Sequence, residues 1–250
     1  MGRHHAPPCA RQVTPAVGQA PGAEAGAEAW VREALRVHRR YQIEVVEACG
    51  LCPWAESARL GGKVHERVVL QADVADVGAS LAAIDELADS PEAEVGFLVY
   101  PQLSVDRGRF EEFASRVRDA DGARHELGRV PFVFAVFHPD AEADTGDPER
   151  LIPFLRRTPD PTFQLVRASV LDAVRSLSSQ GTQFVNVASF EAMQALHGGQ
   201  QAAQVPLRER IARTNLATVK RMGVQAVRDL LDDIRRDRDE SYARLRGAAR

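Results

Sequence analysis

Three short stretches of this chain carry side chains that can do chemistry. The first is Cys49-Gly50-Leu51-Cys52-Pro53-Trp54. Two thiols two residues apart can close a disulfide or share a metal. Pro53 suits the first position of a helix, where its missing N–H would have had no intrahelical partner anyway. That placement makes Cys52 the N-cap, and the positive end of the helix favours its thiolate and lowers its pKa. Simple packing is the competing reading, because free cysteines are among the most buried residues. It weighs more on Cys49, beside which no charged group stands to activate the thiol.

The second stretch is Phe137-His138-Pro139-Asp140, with Asp144 and Asp147 following. His138 sits where an apolar strand runs out into a proline-rich loop, and ligands in α/β folds gather at strand ends. An imidazole there can be a general base or a metal ligand. Equally, it can bond the loop backbone and simply end the strand. The third stretch is Arg156-Arg157-Thr158-Pro159-Asp160-Pro161-Thr162. Two adjacent arginines beside rigid prolines can grip a carboxylate or phosphate bidentately. Solvated charges, or salt bridges that tie the loop down, are the plainer reading.

The elements that must position these residues follow from apolar spacing. Trp30, Ala34, Val37, Tyr41 and Val45 lie on one helical face, with Gly50 as the residue that ends the helix. A short helix from Pro53 to Gly61-Gly62 comes next. Val64–Gln71 reads as a strand, Val74–Leu87 as a helix and Val95–Tyr100 as a buried strand. Arg107–Leu127 reads as a helix and Val130–Phe137 as the most strand-like segment. Pro139 to Pro161 has no period and reads as a long loop. Phe163–Leu177 reads as helical and Gln183–Val187 as a last, edge strand. Pro206 to about Arg236 is a long amphipathic helix broken at Gly223. The order β-α-β-α-β predicts an α/β fold. We expect a small parallel or mixed sheet of three to four strands covered by helices, with N-terminal and long C-terminal helices. Residues 27–240 are expected to form one domain, after a disordered tail (1–26) and before a frayed C-terminus (241–250).

Composition excludes more than it identifies. The 250 residues carry 32 Lys+Arg against 35 Asp+Glu, which leaves no basic excess of the kind nucleic-acid binders show. No run of 18 apolar residues occurs, so no membrane span is expected. Three cysteines (Cys9, Cys49 and Cys52) are too few for a disulfide framework, and a cytoplasmic location is the expectation. Glycine-rich nucleotide fingerprints, the G-x-S-x-G elbow and H-E-x-x-H are all missing from the sequence.

Four pieces together carry a resemblance. They are Leu51-Cys52-Pro53-Trp54-Ala55, Phe137-His138-Pro139-Asp140, Arg157-Thr158-Pro159 with Pro161, and Asn215 with Thr218 and Gly223. In order and rough spacing the chain resembles, over about residues 30–235, a bacterial family known as domain of unknown function 1415. Asp160 stands where that family usually has tyrosine, Thr214 where it has arginine, and Met222 where it has leucine. Cys49 lies outside the pattern. The resemblance implies that Cys52, His138 and Arg157 belong to one shared design, and it brings no activity, cofactor or metal with it.

The leading expectation is a thiol- or redox-active enzyme in which Cys52 and His138 are catalytic. Arg157, Asp140 and Asn215 would hold a small anionic ligand. A zinc or iron site built on Cys52 and His138 is the second reading. The third is a non-catalytic interaction or assembly protein that uses the apolar face of the C-terminal helix.

Overall fold

A computed structural model of the chain describes residues 21–126, 129–142, 146–148, 151–179 and 207–248. The apolar spacing at the N-terminal end does make one helical face: Ala34, Val37, Tyr41 and Val45 are all buried. Helix α1 spans Pro21–Arg40 and runs directly into a π-helical turn, Tyr41–Glu47. Gly50 then turns the chain at φ +62°, a left-handed step that glycine takes without strain. The next helix, α2, is Ala55–Leu60 with Trp54 as its cap, so it starts two residues beyond the predicted Pro53.

Strand β1 is Val64–Val68 and helix α3 is Gly78–Ala88. The start of α3 falls four residues after the predicted one. The carboxylates of Asp73 and Asp76 accept the N–H groups of Ala75 and Gly78 and hold that stretch in turns instead. Strand β2 is Val95–Val99, helix α4 is Arg107–Ala123, and strand β3 is Phe132–Phe137. Asp106 caps α4 by accepting the N–H of Arg109. The long loop that follows contains a single helical turn, α5, Leu151–Leu155.

The helix expected over Phe163–Leu177 needs correction. Thr162–Arg167 is strand β4, and only Ala168–Ser179 is helix, α6. Phe163 and Leu165 alternate with Thr162 and Gln164, and both apolar side chains are fully buried. The period is 2 for six residues and helical after them. Helices α7, Leu207–Met222, and α8, Val224–Ala248, are separated at Gly223, which has φ +89°. Helix α8 runs unbroken to Ala248 with Ser241 and Tyr242 buried, where fraying from 241 was expected. The strand expected at Gln183–Val187 and residues 1–20 of the tail expected over 1–26 lie outside the described residues, whereas residues 21–26 of that tail are the first turns of α1.

The four strands form one mixed sheet in the order β1-β2-β4-β3. β1 and β2 are parallel, and β4 runs antiparallel to both β2 and β3. The carboxyl ends of β1, β2 and β3 therefore share one edge of the sheet with the start of β4. At that edge Val99 and Phe137 both pair with Thr162.

Alternation along β2 splits the core. Leu98 and Tyr100 pack with Phe163, Leu165, Phe110 and Phe113 under α3 and α4. Phe97 and Val99 pack with Ala34 and Tyr242 under α1 and α8. A third cluster joins Tyr41, Val45 and Leu51 to Phe154 of α5, Val219 of α7, and Leu231 and Ile234 of α8. No helix among the described residues is long and apolar enough to cross a membrane.

Candidate functional site

His138 leaves β3 at the shared strand edge and is 2% exposed. Its Nε2 lies 3.1 Å from the carbonyl oxygen of Val105, and its Nδ1 lies 3.2 Å from the backbone nitrogen of Asp140. The Asp140 N–H can only donate, so Nδ1 accepts and the ring proton sits on Nε2, donated to Val105. Both nitrogens are thereby engaged by backbone. Burial pushes the imidazole pKa down, with the bond to Val105 opposing it. The ring links the loop before α4 to the exit of β3 as a neutral cross-brace.

The two arginines of the third stretch do not form a shared grip. The guanidinium carbon of Arg156 lies 5.1 Å from the ring centre of Phe137. That of Arg157 lies 5.3 Å from the ring centre of Phe154. Consecutive residues thus stack on different aromatic faces, and the bidentate double-arginine clamp does not form. The loop still holds both to the strand edge. Arg156 offers its carbonyl to the N–H groups of His138 and Thr158, and Arg157 Nε donates to the carbonyl of Ala141 at 2.6 Å.

Arg157 is half-buried, and among the described residues no carboxylate lies within ion-pair distance of it. Burial weighs against its charge, then the neighbouring Arg228; Asp232 and Asp140 oppose them. Asp140 is itself exposed and engaged, its Oδ1 accepting from Arg235 Nη1 of α8 at 3.0 Å. Residues 228, 232 and 235 are spaced by four and three, so one face of α8 carries all the charge that Arg157 senses from that helix.

The rest of the loop is clamped by the same helix. The side chain of Asp160 is fully buried, and its carboxylate accepts from Arg238 Nε at 2.9 Å and from the Tyr242 hydroxyl at 2.7 Å. The guanidinium carbon of Arg238 also lies 4.6 Å from the ring centre of Tyr242. The backbone carbonyl of Asp160 accepts the hydroxyls of Thr158 and Thr162 at 2.7 and 2.8 Å. Sequence reasoning missed Arg238 and Tyr242. Their i,i+4 spacing is a signal in principle, but it is hidden in a charge-dense stretch and spans the boundary where fraying was expected to begin.

Cys52 is half-buried and free, as is the buried Cys49. Among the described residues no hydrogen bond reaches its sulfur, and the Ala55 N–H donates to the Cys52 carbonyl at 3.2 Å instead. Burial pushes the thiol pKa up, with the backbone N–H groups of Trp54 and Ala55 opposing it, against the lowered value predicted from the helix end. No hydrogen bond or electrostatic contact among the described residues joins Cys52 to His138 or Arg157. The structure thus brings His138, Asp140 and Arg157 into one bonded loop system and leaves Cys52 outside that system.

Cys52 does follow Leu51, which packs in the cluster that also holds Phe154, the ring under Arg157. Asn215 is on α7 between cluster residues Val219 and Leu216 and the buried Ala212, and it is 8% exposed. Nothing among the described residues hydrogen-bonds its side-chain amide. Among the described residues, no group of three or more His, Cys, Asp or Glu side chains is placed to hold a metal ion. The apolar residues of α8 are consumed internally, with Val227, Leu231, Ile234 and Tyr242 all buried.

A family model described as protein of unknown function (DUF1415) matches residues 34–199. No curated protein and no solved structure matches the chain.

Proposed function

The chain belongs to the DUF1415 family, and on that premise we propose that it binds a small anionic ligand, a carboxylate or phosphate, with Arg157 as the anchor. The observation that carries this reading is the state of Arg157. Its guanidinium carbon lies over the Phe154 ring, 5.3 Å from the centre, and its Nε donates to the Ala141 carbonyl. Its two Nη groups are left without a carboxylate among the described residues. A half-buried guanidinium without a counter-ion is unfavourable, and an anion on the Nη edge relieves it. The side chain is already ordered, so little conformational entropy is lost on binding. Asn215, whose amide has no partner among the described residues and whose helix α7 contributes Leu216 and Val219 to the same cluster, supplies a second donor. Asp140 acts at one remove, by holding its loop to Arg235 of α8. His138 fixes the loop that presents the Ala141 carbonyl.

A second reading gives Cys52 a chemical role and makes the protein a thiol-active enzyme in a reducing, cytoplasmic setting. What supports it is the place of Cys52 just before α2, where the backbone N–H groups of Trp54 and Ala55 oppose the upward push of burial on its thiol. Thiolate formation there requires a counterweight to burial, and a shift of the Leu51–Ala55 loop toward solvent supplies one. His138 is the less suited catalytic partner, because both of its nitrogens are engaged.

Calorimetric titration of the full chain with inorganic phosphate, and separately with succinate, at low ionic strength tests the first reading. Saturable binding is expected, weakened about tenfold or more in Arg157→Gln. An Arg157→Gln variant that binds like the wild type overturns it, as does the absence of binding to both probes. Iodoacetamide labelling followed site by site tests the second: labelling of Cys52 faster than of Cys49, abolished in Cys52→Ser, is expected, and an inert Cys52 removes it.

A further inference from the structure

We draw no further inference here: the strongest candidate, the outer edge of the all-apolar strand β3 (Phe132–Phe137), which ends the sheet with no strand beyond it among the described residues, carries none because nothing in the structure shows what covers it.

Discussion

His38 should make the protein's stability fall as the solution is acidified, long before the carboxylates titrate. The residue is on α1 and is 0% exposed, with its ring centre 4.9 Å from that of Phe97 and 6.2 Å from that of Tyr41. Neither ring nitrogen has a hydrogen-bond partner among the described residues. Burial, with Arg39 adding repulsion, pushes the imidazole down to about 3. In the unfolded chain the same group titrates near 6.5. Below pH 6.5 the unfolded state therefore takes up a proton that the folded state refuses, so stability present above 6.5 is lost as pH falls toward 3. The slope is about 1.4 kcal/mol per pH unit, which gives about 2 kcal/mol of loss at pH 5. With a urea dependence of about 2–3 kcal/mol per molar, the unfolding midpoint should drop by about 0.7–1 M between pH 7 and pH 5. His38→Phe keeps a ring against Phe97 and removes the titration. Its midpoint at pH 7 can move either way, since added ring volume opposes the relief of two unsatisfied nitrogens. The wild-type-minus-variant difference between the two pH values is insensitive to that, and all other groups cancel in it. Parallel midpoint-against-pH curves for the two proteins would refute the reasoning.

Two further outcomes follow from contacts already described. Asp160→Ala strands Arg238 and the Tyr242 hydroxyl in the interior and should cost about 3–5 kcal/mol, read from urea unfolding. Adding Arg238→Met to Asp160→Leu should recover part of that loss, and a single alanine variant within about 1 kcal/mol of wild type would contradict the buried clamp. Gly96→Ala places a Cβ 2.7 Å from the Leu87 Cδ1 between β2 and α3, and thermal unfolding should show a loss of about 1–3 kcal/mol. An unchanged melting temperature would mean that α3 yields freely at that contact.

Periodic segments made most of the architecture legible. The face from Trp30 to Val45, strands β2 and β3, and the break at Gly223 follow from spacing, β-rich composition and glycine chemistry. β4 did not, because its period-2 segment is short and abuts a helix-forming one with no glycine or proline between Arg167 and Ala168. Tertiary pairing settles it: Thr162–Arg167 fits between β2 and β3, and both of its neighbours need partners. At the candidate site, single-residue chemistry was readable and geometry was not. Cys52 does stand just before a helix start, yet its depth, which sequence spacing does not encode, reverses the expected direction of its pKa. Neighbouring positions in sequence suggested that Arg156 and Arg157 act together. Side-chain direction sends them to Phe137 and Phe154, two rings that lie 17 residues apart in the chain.

Asp160 connects these observations. A tyrosine, which the family resemblance leads one to expect there, would need one partner for its hydroxyl; an aspartate, fully buried as Asp160 is, needs a countercharge. The chain supplies that charge from Arg238 and a further donor from Tyr242, both outside the matched residues 34–199. The same helix gives Asp140 its partner, Arg235, and sets Arg228 near Arg157. The loop that carries the Arg157-Thr158-Pro159 stretch is therefore not held by its own segment alone. One face of α8 holds its acidic residue in place, and another shapes the charge balance of its unpaired arginine. A ligand that neutralises Arg157 removes its repulsion with Arg228 and so favours closer packing of α8 on the loop. Binding at Arg157 and docking of α8 should then reinforce each other, because both depend on the same excess of positive charge.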